Sequence, residues 1–197
     1  MAKSKSDSEK TRCPWGLGDA DYTRYHDKDW GVPLKNSRKL FELLVLEGAQ
    51  AGLSWITILR RRKGYRLAFD GFDPEKIAKY GEKDAARLLK DERIIRNRLK
   101  IRSVIGNAKA FCKMKEEGED FSKWLWSFID GKPIINHWKA MSEIPASTEL
   151  SEKISKALKK KGFNFVGPTI VYAFMQAAGM VNDHVVSCYR WREVQPR

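Results

Sequence analysis

The sequence predicts an all-α fold that forms a single domain. Segments in which apolar residues recur at helical spacing alternate with short polar loops along most of the 197-residue chain. The sequence has neither the sustained alternation of apolar and polar residues that is typical of half-buried strands nor an internal repeat. With 42% hydrophobic residues, a chain of this length can build one sizeable core.

The predicted helices follow one another from residue 40 to residue 180. Two of them have clear start signals: Asp73 can cap a helix that begins with Pro74, and Ser147 or Thr148 can cap another. The predicted ranges are 40–47, 54–62, 74–80, 83–89, 94–115, 121–129, 147–160 and 169–180. Residues 1–10 are small, polar and charged, so we predict a disordered arm there, a single helical domain over 11–192 and a tail at 193–197.

One apolar segment, residues 165–181, has no charged residue for 17 positions. This length is at the short limit for a helix that spans a membrane, and Gly167 and Pro168 interrupt the segment near its start. We therefore expect a buried core helix here and no membrane partner.

The chain carries a large excess of positive charge. Lys and Arg total 38 against 25 Asp and Glu, which gives a formal net charge of +13. Such an excess attracts polyanions, of which nucleic acid is the commonest and an anionic membrane surface is the main rival. Three cysteines are too few for a disulfide framework, and no signal-peptide pattern opens the chain, so we expect a cytoplasmic protein.

A carboxylate, Glu47, interrupts the apolar stretch LLVLEGAQAGLSW at 43–55. At about 100° per residue, Glu47 shares a helix face with Leu40 and Leu44, whereas Glu42 is predicted to lie exposed on the opposite face. A buried, unpaired carboxylate costs on the order of several kcal/mol. Two interpretations remain open: an acid that reaches water or a buried arginine, or a pocket acid that meets a ligand carrying positive charge or N–H donors.

Aromatic residues surround this acid in the sequence. Most of the seven tryptophans are expected in the core, because large aromatic side chains dominate cores. A few rings around one carboxylate would, however, bind a flat, cationic or electron-poor ring by stacking and cation–π attraction. The candidates are Trp15, Tyr22, Tyr25, Trp30 and Trp55.

Two pairs of metal-ligating residue types lie at opposite ends of the domain. Cys13 and His26 are 13 residues apart, and His184 and Cys188 are four apart. Two sulfur and two nitrogen ligands form the closed tetrahedral set of a structural zinc site. The spacing alone leaves open that these residues are unrelated core or loop residues. If they bind zinc, the ion joins the N-terminal segment to the C-terminal one.

A predicted helical hairpin at 156–176 combines a basic helix, a loop with two glycines, and an apolar helix. The backbone N–H groups at 167–170 are free to hold a phosphate, and the lysines at 159–161 lie beside them. Basic runs also occur at 60–66 and 93–102. Such runs are usually solvated faces, but the net charge favours contact of at least one of them with a nucleic acid backbone.

Six sequence blocks resemble those of the bacterial 3-methyladenine DNA glycosylase I family, a branch of the helix-hairpin-helix glycosylases. The resemblance covers about residues 12–188, and the blocks occur in the family's order. They are YHDKDWGVP (25–33), LEGAQAGLSWITIL (46–59), IIRNRLKIRSVIGNA (94–108), LWSF (125–128), LKKKGFNFVGPTI (158–170) and MVNDHVVSC (180–188).

The resemblance implies a monofunctional DNA repair enzyme that flips 3-methyladenine out of alkylated double-stranded DNA and hydrolyses its N-glycosidic bond. It also implies the helix-hairpin-helix fold and a structural Zn²⁺ held by Cys13, His26, His184 and Cys188. Glu47 would be catalytic and would bind the base together with Trp15, Tyr22, Tyr25, Trp30 and Trp55. Gly52 and Leu53 would enter the gap left by the flipped base, and Lys161, Gly167 and Thr169 would contact DNA.

The chain departs from the wider superfamily at several positions. Asn182 replaces the catalytic aspartate of many relatives, with Asp183 next to it, and Phe165 replaces a hairpin glycine. No counterpart of the lysine nucleophile of bifunctional enzymes is present, and three cysteines exclude a four-thiolate iron–sulfur cluster. An aspartate-driven or lyase mechanism is therefore disfavoured.

Two alternatives remain at this level. The first is a DNA-binding module without enzymatic activity, joined by zinc, and the second is a glycosylase that accepts a broader range of damaged purines. Cys112 is interpreted as an ordinary core thiol, and the absence of coiled-coil heptads favours a monomer.

Overall fold

The computed structural model describes residues 10–195, and helices dominate them. In chain order these are α1 (Ala20–Lys28), α2 (Ser37–Gln50), α3 (Trp55–Ala68), α4 (Pro74–Ile77), α5 (Glu82–Lys90), α6 (Arg98–Glu116), α7 (Phe121–Trp126), α8 (Glu149–Lys160), α9 (Pro168–Ala177) and α10 (Tyr189–Glu193). The predicted mostly helical architecture is confirmed. The predicted arm at 1–10, apart from residue 10, and the last two residues of the predicted tail lie outside the described residues, and the domain boundaries stay predictions.

Each predicted helix has a counterpart, but several ends differ because capping groups set them. The helix expected from residue 94 begins at Arg98, where the Asn97 side chain accepts a hydrogen bond from the Lys100 N–H. Thr148, rather than Ser147, caps α8. The segment expected at 121–129 ends its α-helix at Trp126 and continues as a 3₁₀ turn.

Three features were absent from the sequence prediction, namely helix α1, the short helix α10 and a pair of strands. Helix α1 is polar and aromatic, and Asp19 caps it by accepting hydrogen bonds from the N–H groups of Asp21 and Tyr22. A two-residue parallel pair joins β1 (Ile134–Ile135) to β2 (Val181–Asn182). This pair is too short to leave a period in the sequence.

Helix α2 lies between two groups of apolar side chains. Leu40 and Leu44 belong to a core shared with α7, α8 and α9. Phe41, Val45 and Leu46 belong to a second core formed with α3, α4, α5 and α6. The helix is therefore buried on nearly every side, which explains why an acid at its C-terminal end can be removed from water.

The prediction that Glu42 is exposed was wrong. Its side chain lies on the second buried face of α2, and the residue is only 8% exposed. Its carboxylate accepts hydrogen bonds from Arg62 (3.4 Å) and Arg66 (2.8 Å), both on α3. The sequence analysis assumed that α2 has a single buried face. It missed the face that carries Glu42, because this face packs against α3, which follows later in the chain.

The apolar segment at 165–181 forms the buried helix that was expected. Helix α9 places Val171, Phe174 and Met175 in the core against α2. None of the described helices combines the length and the apolar character needed to cross a membrane. Cys112, interpreted as a core thiol, is only half-buried and lines a surface cavity of about 520 Å³, so that interpretation was wrong.

Candidate functional site

A cavity of about 500 Å³ opens between the N-terminal segment, α1, α2, α3 and α9. It contains Glu47 and all five aromatic residues that the sequence predicted around it. The remaining lining residues are Pro14, Leu17, Gln50, Met141, Ala173 and Gln176. Helix α2 supplies the acid, and the start of α3 supplies Trp55 across the turn that follows α2. The structure therefore brings the five predicted rings and Glu47 together in one cavity.

Glu47 is the one acid that lines this cavity among the described residues, and it is 3% exposed. Desolvation raises the pKa of Glu47 to about 8. No described side chain donates a hydrogen bond to its carboxyl group, and no described cation pairs with it. Of the two interpretations left open by the sequence, the burial of Glu47 and the lack of a paired cation among the described residues favour the pocket acid.

The rings that line the cavity with this acid form one connected group, in which Trp15 also lies 6.2 Å from Tyr25. Tyr25 and Trp55 lie with their centroids 5.5 Å apart at an interplanar angle of 44°. Trp15 contacts Trp30 edge to face at 5.0 Å and Tyr22 at 5.8 Å. Such a group of rings suits a flat ring that stacks on one face and contacts a ring edge on the other.

Several polar groups complete the cavity. Burial, and then the charge of Glu47, raise the pKa of Tyr25, so its hydroxyl stays protonated. The Ile56 N–H donates to the Tyr22 hydroxyl (3.1 Å), which joins α1 to the start of α3. The Trp55 Nε1–H is buried without an acceptor. A ligand that offers an acceptor to the Trp55 Nε1–H would satisfy a donor that has no partner among the described residues, and a ligand N–H could meet Glu47.

Gln176 is a lining residue that the sequence analysis missed. Its amide group donates to Asp183, which is fully buried behind the cavity. Asp183 accepts four hydrogen bonds, from Asn136 Nδ2 (2.6 Å), Trp138 Nε1 (2.8 Å), Tyr172 OH (2.6 Å) and Gln176 Nε2 (2.8 Å). This acid orients side chains and does not itself line the cavity. Asp183 in the VNDH block was the one sequence signal for this network of hydrogen bonds. The network could not be predicted from it, because the four donors are spread between residues 136 and 176.

Asn182, which replaces a catalytic aspartate of many relatives, is also buried away from the cavity. Its amide donates to the Trp191 carbonyl (2.9 Å), and its side-chain oxygen accepts from the His184 N–H (3.3 Å). Both bonds hold the C-terminal segment in place. The structure therefore gives Asn182 a structural role at this position.

Gly52 and Leu53 form a tight turn at the mouth of the cavity. The Leu53 N–H donates to the Gln50 carbonyl (2.7 Å), Ala51 has φ −42° and ψ 119°, and Gly52 has φ +76°. These angles are typical of a type II turn, which needs glycine at its third position. The Leu53 side chain is 39% exposed, so an apolar side chain projects from this turn.

The predicted hairpin is formed by α8, a loop at 161–167 and α9. Gly167 precedes the first residue of α9, and Thr169 is exposed in its first turn, where backbone N–H groups lack intrahelical acceptors. Lys161 is already paired, because its ammonium donates to Glu119 (2.6 Å) and lies 3.7 Å from Glu117. Its charge is therefore partly neutralised, in contrast to the free cation that the sequence suggested.

Three arginines of the basic run at 60–66, namely Arg60, Arg62 and Arg66, form ion pairs with acids of this chain. Arg60 pairs with Asp19 and Asp21 on α1, and Arg62 pairs with Asp29. These partly exposed ion pairs join α3 to both ends of α1. The run is thus less available to a nucleic acid backbone than its sequence indicates.

Cys13, His26, His184 and Cys188 come together as one buried cluster. Their ligand atoms all lie within 4.8 Å of one another. Cys188 Sγ is 3.4 Å from His26 Nε2 and 3.6 Å from His184 Nδ1, and Cys13 Sγ is 3.6 Å from the same His184 atom. The residues at 181–188 are not helical, so loop geometry, and not one helical turn, brings His184 near Cys188. The cluster could hold a metal ion.

The atoms behind the cluster orient its imidazoles. His26 Nδ1 lies 2.8 Å from the Asp27 carboxylate, and His184 Nε2 lies 3.3 Å from the Trp30 carbonyl. Each ring therefore turns its other nitrogen towards the two sulfurs, as metal-ligating histidines do. The hydrogen bond from Cys13, and then those from the imidazoles, lower the pKa of the Cys188 thiol and favour a thiolate.

The cluster of Cys13, His26, His184 and Cys188 lies next to the aromatic cavity through ring contacts. The His26 ring meets Trp15 with centroids 5.2 Å apart, and the His184 ring meets Trp30 at 4.6 Å. Both contacts are edge to face. The two tryptophans therefore have the cavity on one side and the cluster on the other.

The sequence matches a known protein family, and the fold matches solved structures. A family model described as methyladenine glycosylase matches residues 15–191. DNA-3-methyladenine glycosylase 1 of Escherichia coli is 54% identical over 177 residues, which are 90% of this chain and 95% of the relative. A crystal structure of a 3-methyladenine DNA glycosylase I has a TM-score of 0.90 at 50% identity and covers 94% of this chain and 100% of its own. The Staphylococcus aureus 3-methyladenine DNA glycosylase I, whose structure concerns 3-methyladenine recognition, has a TM-score of 0.88 at 37% identity over 94% of this chain and 97% of its own.

Proposed function

The chain belongs to the methyladenine glycosylase family, and we propose that it is a DNA repair enzyme that releases 3-methyladenine from alkylated double-stranded DNA by hydrolysing the N-glycosidic bond. The observation that supports this most directly is the buried carboxyl group of Glu47, which has no partner among the described residues inside a cavity walled by aromatic rings. A protein that only binds phosphates would gain nothing from such an acid.

The cavity favours the damaged base over normal bases through charge. Methylation at N3 gives the purine in the nucleotide a formal positive charge, whereas normal adenine is neutral. Because the pKa of Glu47 is about 8 in the described structure, the carboxyl group is mostly neutral at pH 7, and a cationic base beside it would favour ionisation. Tyr25 and Trp55 would add stacking and cation–π attraction. Selection therefore depends on the charge and flatness of the ring.

The reaction needs little acid catalysis, because the methylated base is a good leaving group. The C1′–N9 bond breaks with its electron pair on the base, which leaves as neutral 3-methyladenine. Water adds to C1′ as the sugar passes through a state with oxocarbenium character, and it releases a proton. Ionised Glu47 would stabilise the positive charge that is shared between the base and the sugar. Extrusion of a damaged, weakly paired base also costs less than extrusion of a normal one.

DNA would be held at two places. We assign α8, the loop at 161–167 and α9 as the helix-hairpin-helix element, in which the N–H groups at Gly167 and Thr169 would contact a phosphate. Lys161 would add its charge to this contact. The turn with Gly52 and Leu53 would fill the gap that the flipped base leaves in the duplex.

The cluster of Cys13, His26, His184 and Cys188 would hold a structural Zn²⁺. Two thiolates and two imidazoles fit the donor preference of zinc and leave no ligand position for a reactive water. The ion would stabilise the fold and take no part in hydrolysis. The cytoplasmic location and the monomeric state inferred from the sequence remain predictions.

Release of free bases from alkylated DNA tests the proposal. Duplex DNA treated with a methylating agent is incubated with the protein, and the released bases are separated by chromatography. We expect 3-methyladenine as the main product. Equal release of 7-methylated or oxidised purines would favour the broader glycosylase, and DNA binding without any released base would favour the binding module.

A further inference from the structure

One lysine holds the turn between α2 and α3 from outside. Lys100, on α6, donates from its ammonium to the carbonyl oxygens of Ala49 (2.8 Å) and Ala51 (2.7 Å). These carbonyls lie at the C-terminal end of α2, where intrahelical donors are lacking and the helix dipole favours a cation. The side chain is half-buried, and this desolvation lowers the pKa of Lys100.

The Ala51 carbonyl belongs to the central peptide of the type II turn. Type I and type II turns differ by a flip of this peptide. The hydrogen bond from Lys100 fixes the orientation in which the Ala51 oxygen faces α6 and Gly52 adopts positive φ. The exposed side chain of Leu53 follows directly, so its direction depends on a peptide that Lys100 holds.

Helix α6 also holds the hairpin loop. Asn107 accepts a hydrogen bond from the Asn164 N–H (2.7 Å) and donates one to the Asn164 carbonyl (3.0 Å). Asn107 follows Lys100 by seven residues, or about two helical turns, so the two side chains leave α6 on the same side. The turn and the hairpin are therefore both held by one face of a single helix.

We propose that Lys100 is a positioning residue for duplex DNA, which holds the turn at 51–54 so that Leu53 enters the duplex as the base leaves it. The inference rests on the proposed function and deepens it. Lys100 does not line the aromatic cavity. It acts on the extrusion of the base and not on recognition of the base once it is in the cavity.

Three variants test this role. Lys100→Met removes the ammonium and keeps the length of the side chain, whereas Lys100→Arg keeps a cation that can donate to both carbonyls. Lys109→Met is the matched control, because Lys109 is exposed on the same helix and points to the opposite side, nine residues later. It measures the effect of losing one positive charge without disturbing the turn.

We expect Lys100→Met to lower kcat/KM for release of 3-methyladenine from duplex DNA by about tenfold or more, because small displacements of positioning groups are costly. Affinity for free 3-methyladenine, measured by quenching of tryptophan fluorescence, should remain within about twofold of the wild type, since the cavity is untouched. Lys100→Arg should recover most of the activity, and Lys109→Met should resemble the wild type.

Unchanged excision by Lys100→Met would overturn the inference, as would a parallel loss of free-base affinity, which would indicate general damage to the fold. If Lys100→Met does not fold, Lys100→Gln, which keeps an N–H donor without the charge, allows the same comparison. A wild-type protein that releases no 3-methyladenine would instead refute the proposed function itself.

Discussion

At the scale of single residues, Glu47 has the clearest sequence signal in the molecule. A carboxylate on the apolar face of a helix is rare enough to suggest a ligand, and the structure leaves this one without a partner among the described residues. The same pattern gave a wrong position for Glu42, because a helical period shows one buried face and cannot show a second partner helix. Gln176 was not predicted, since its amide is held by Asp183, seven residues later, and that acid also binds donors as far away as Asn136.

Glu47→Gln should lower the rate of 3-methyladenine release from alkylated DNA by about 100-fold, because an amide cannot supply the negative charge that stabilises the cationic base. The near-identical shape should leave the circular dichroism spectrum unchanged. Release of free base measured by chromatography checks this result. Glu116→Gln, at an exposed position on α6, is the control and should keep full activity. Full activity of Glu47→Gln would remove this acid from the mechanism.

The raised pKa of Glu47 also predicts how stability depends on pH. The folded protein binds this proton more tightly than the unfolded chain, whose glutamate has a pKa near 4.5. The contribution of Glu47 is therefore fully present below pH 4.5 and is lost as the pH rises towards about 8. The free energy of unfolding can be measured with urea at pH 5 and pH 8.5. Between these two pH values, the free energy of unfolding of Glu47→Gln should rise by on the order of 1 to 3 kcal/mol relative to that of the wild type. If the variant and the wild type differed in free energy of unfolding by the same amount at both pH values, this result would contradict the raised pKa of Glu47.

At the scale of elements, helices with a strong apolar period were predictable, and short or tertiary-dependent ones were not. Helix α9 was expected from its composition, and α4 from its Asp73 cap. Helix α1 was missed because its aromatic residues face a cavity and a metal-binding cluster and so give no simple apolar period. The turn after α2 was named only through family resemblance, although its type II geometry explains the glycine.

Gly52→Ala should destabilise the protein by about 1 kcal/mol, because alanine strains the positive φ of the turn. Gly106→Ala is the control, since Gly106 lies within α6 without a positive φ and a Cβ added there would meet only Asn164 Nδ2, at 3.7 Å. Thermal unfolding of both variants measures the difference. Equal unfolding temperatures of the two variants would show that the turn accommodates a side chain and that the conformation at residue 52 does not require glycine.

At the scale of the whole molecule, the cluster of two cysteines and two histidines brings together two parts of the chain that the sequence separates by more than 150 residues. Residue types and spacing alone left the cluster undecided, since nothing local indicates that Cys13 and Cys188 meet. Family resemblance supplied the pairing, and the structure brings the four ligands together. Long-range proximity of this kind depends on the packing of every helix between the two ends.

Cys13→Ser should remove bound zinc and lower the unfolding temperature markedly, because loss of a structural metal site costs several kcal/mol. We expect metal analysis to find about one zinc per wild-type chain. Cys112→Ser is the control, as Cys112 lies outside the cluster and should keep both the metal and the stability. A wild-type protein without zinc, or Cys13→Ser with an unchanged unfolding temperature, would contradict the assignment.

The ring contacts of Trp15 and Trp30 make tryptophan fluorescence sensitive to both the cavity and the cluster of cysteines and histidines. Each indole has a ligand imidazole at its edge and the cavity at its other side. Indole emission responds to the polarity and charge of its surroundings, so removal of the proposed zinc ion and binding of a purine would both change the same fluorescence. A titration with a chelator, followed by a titration with 3-methyladenine on the same unlabelled sample, would therefore show whether loss of the ion changes binding of the base in the cavity.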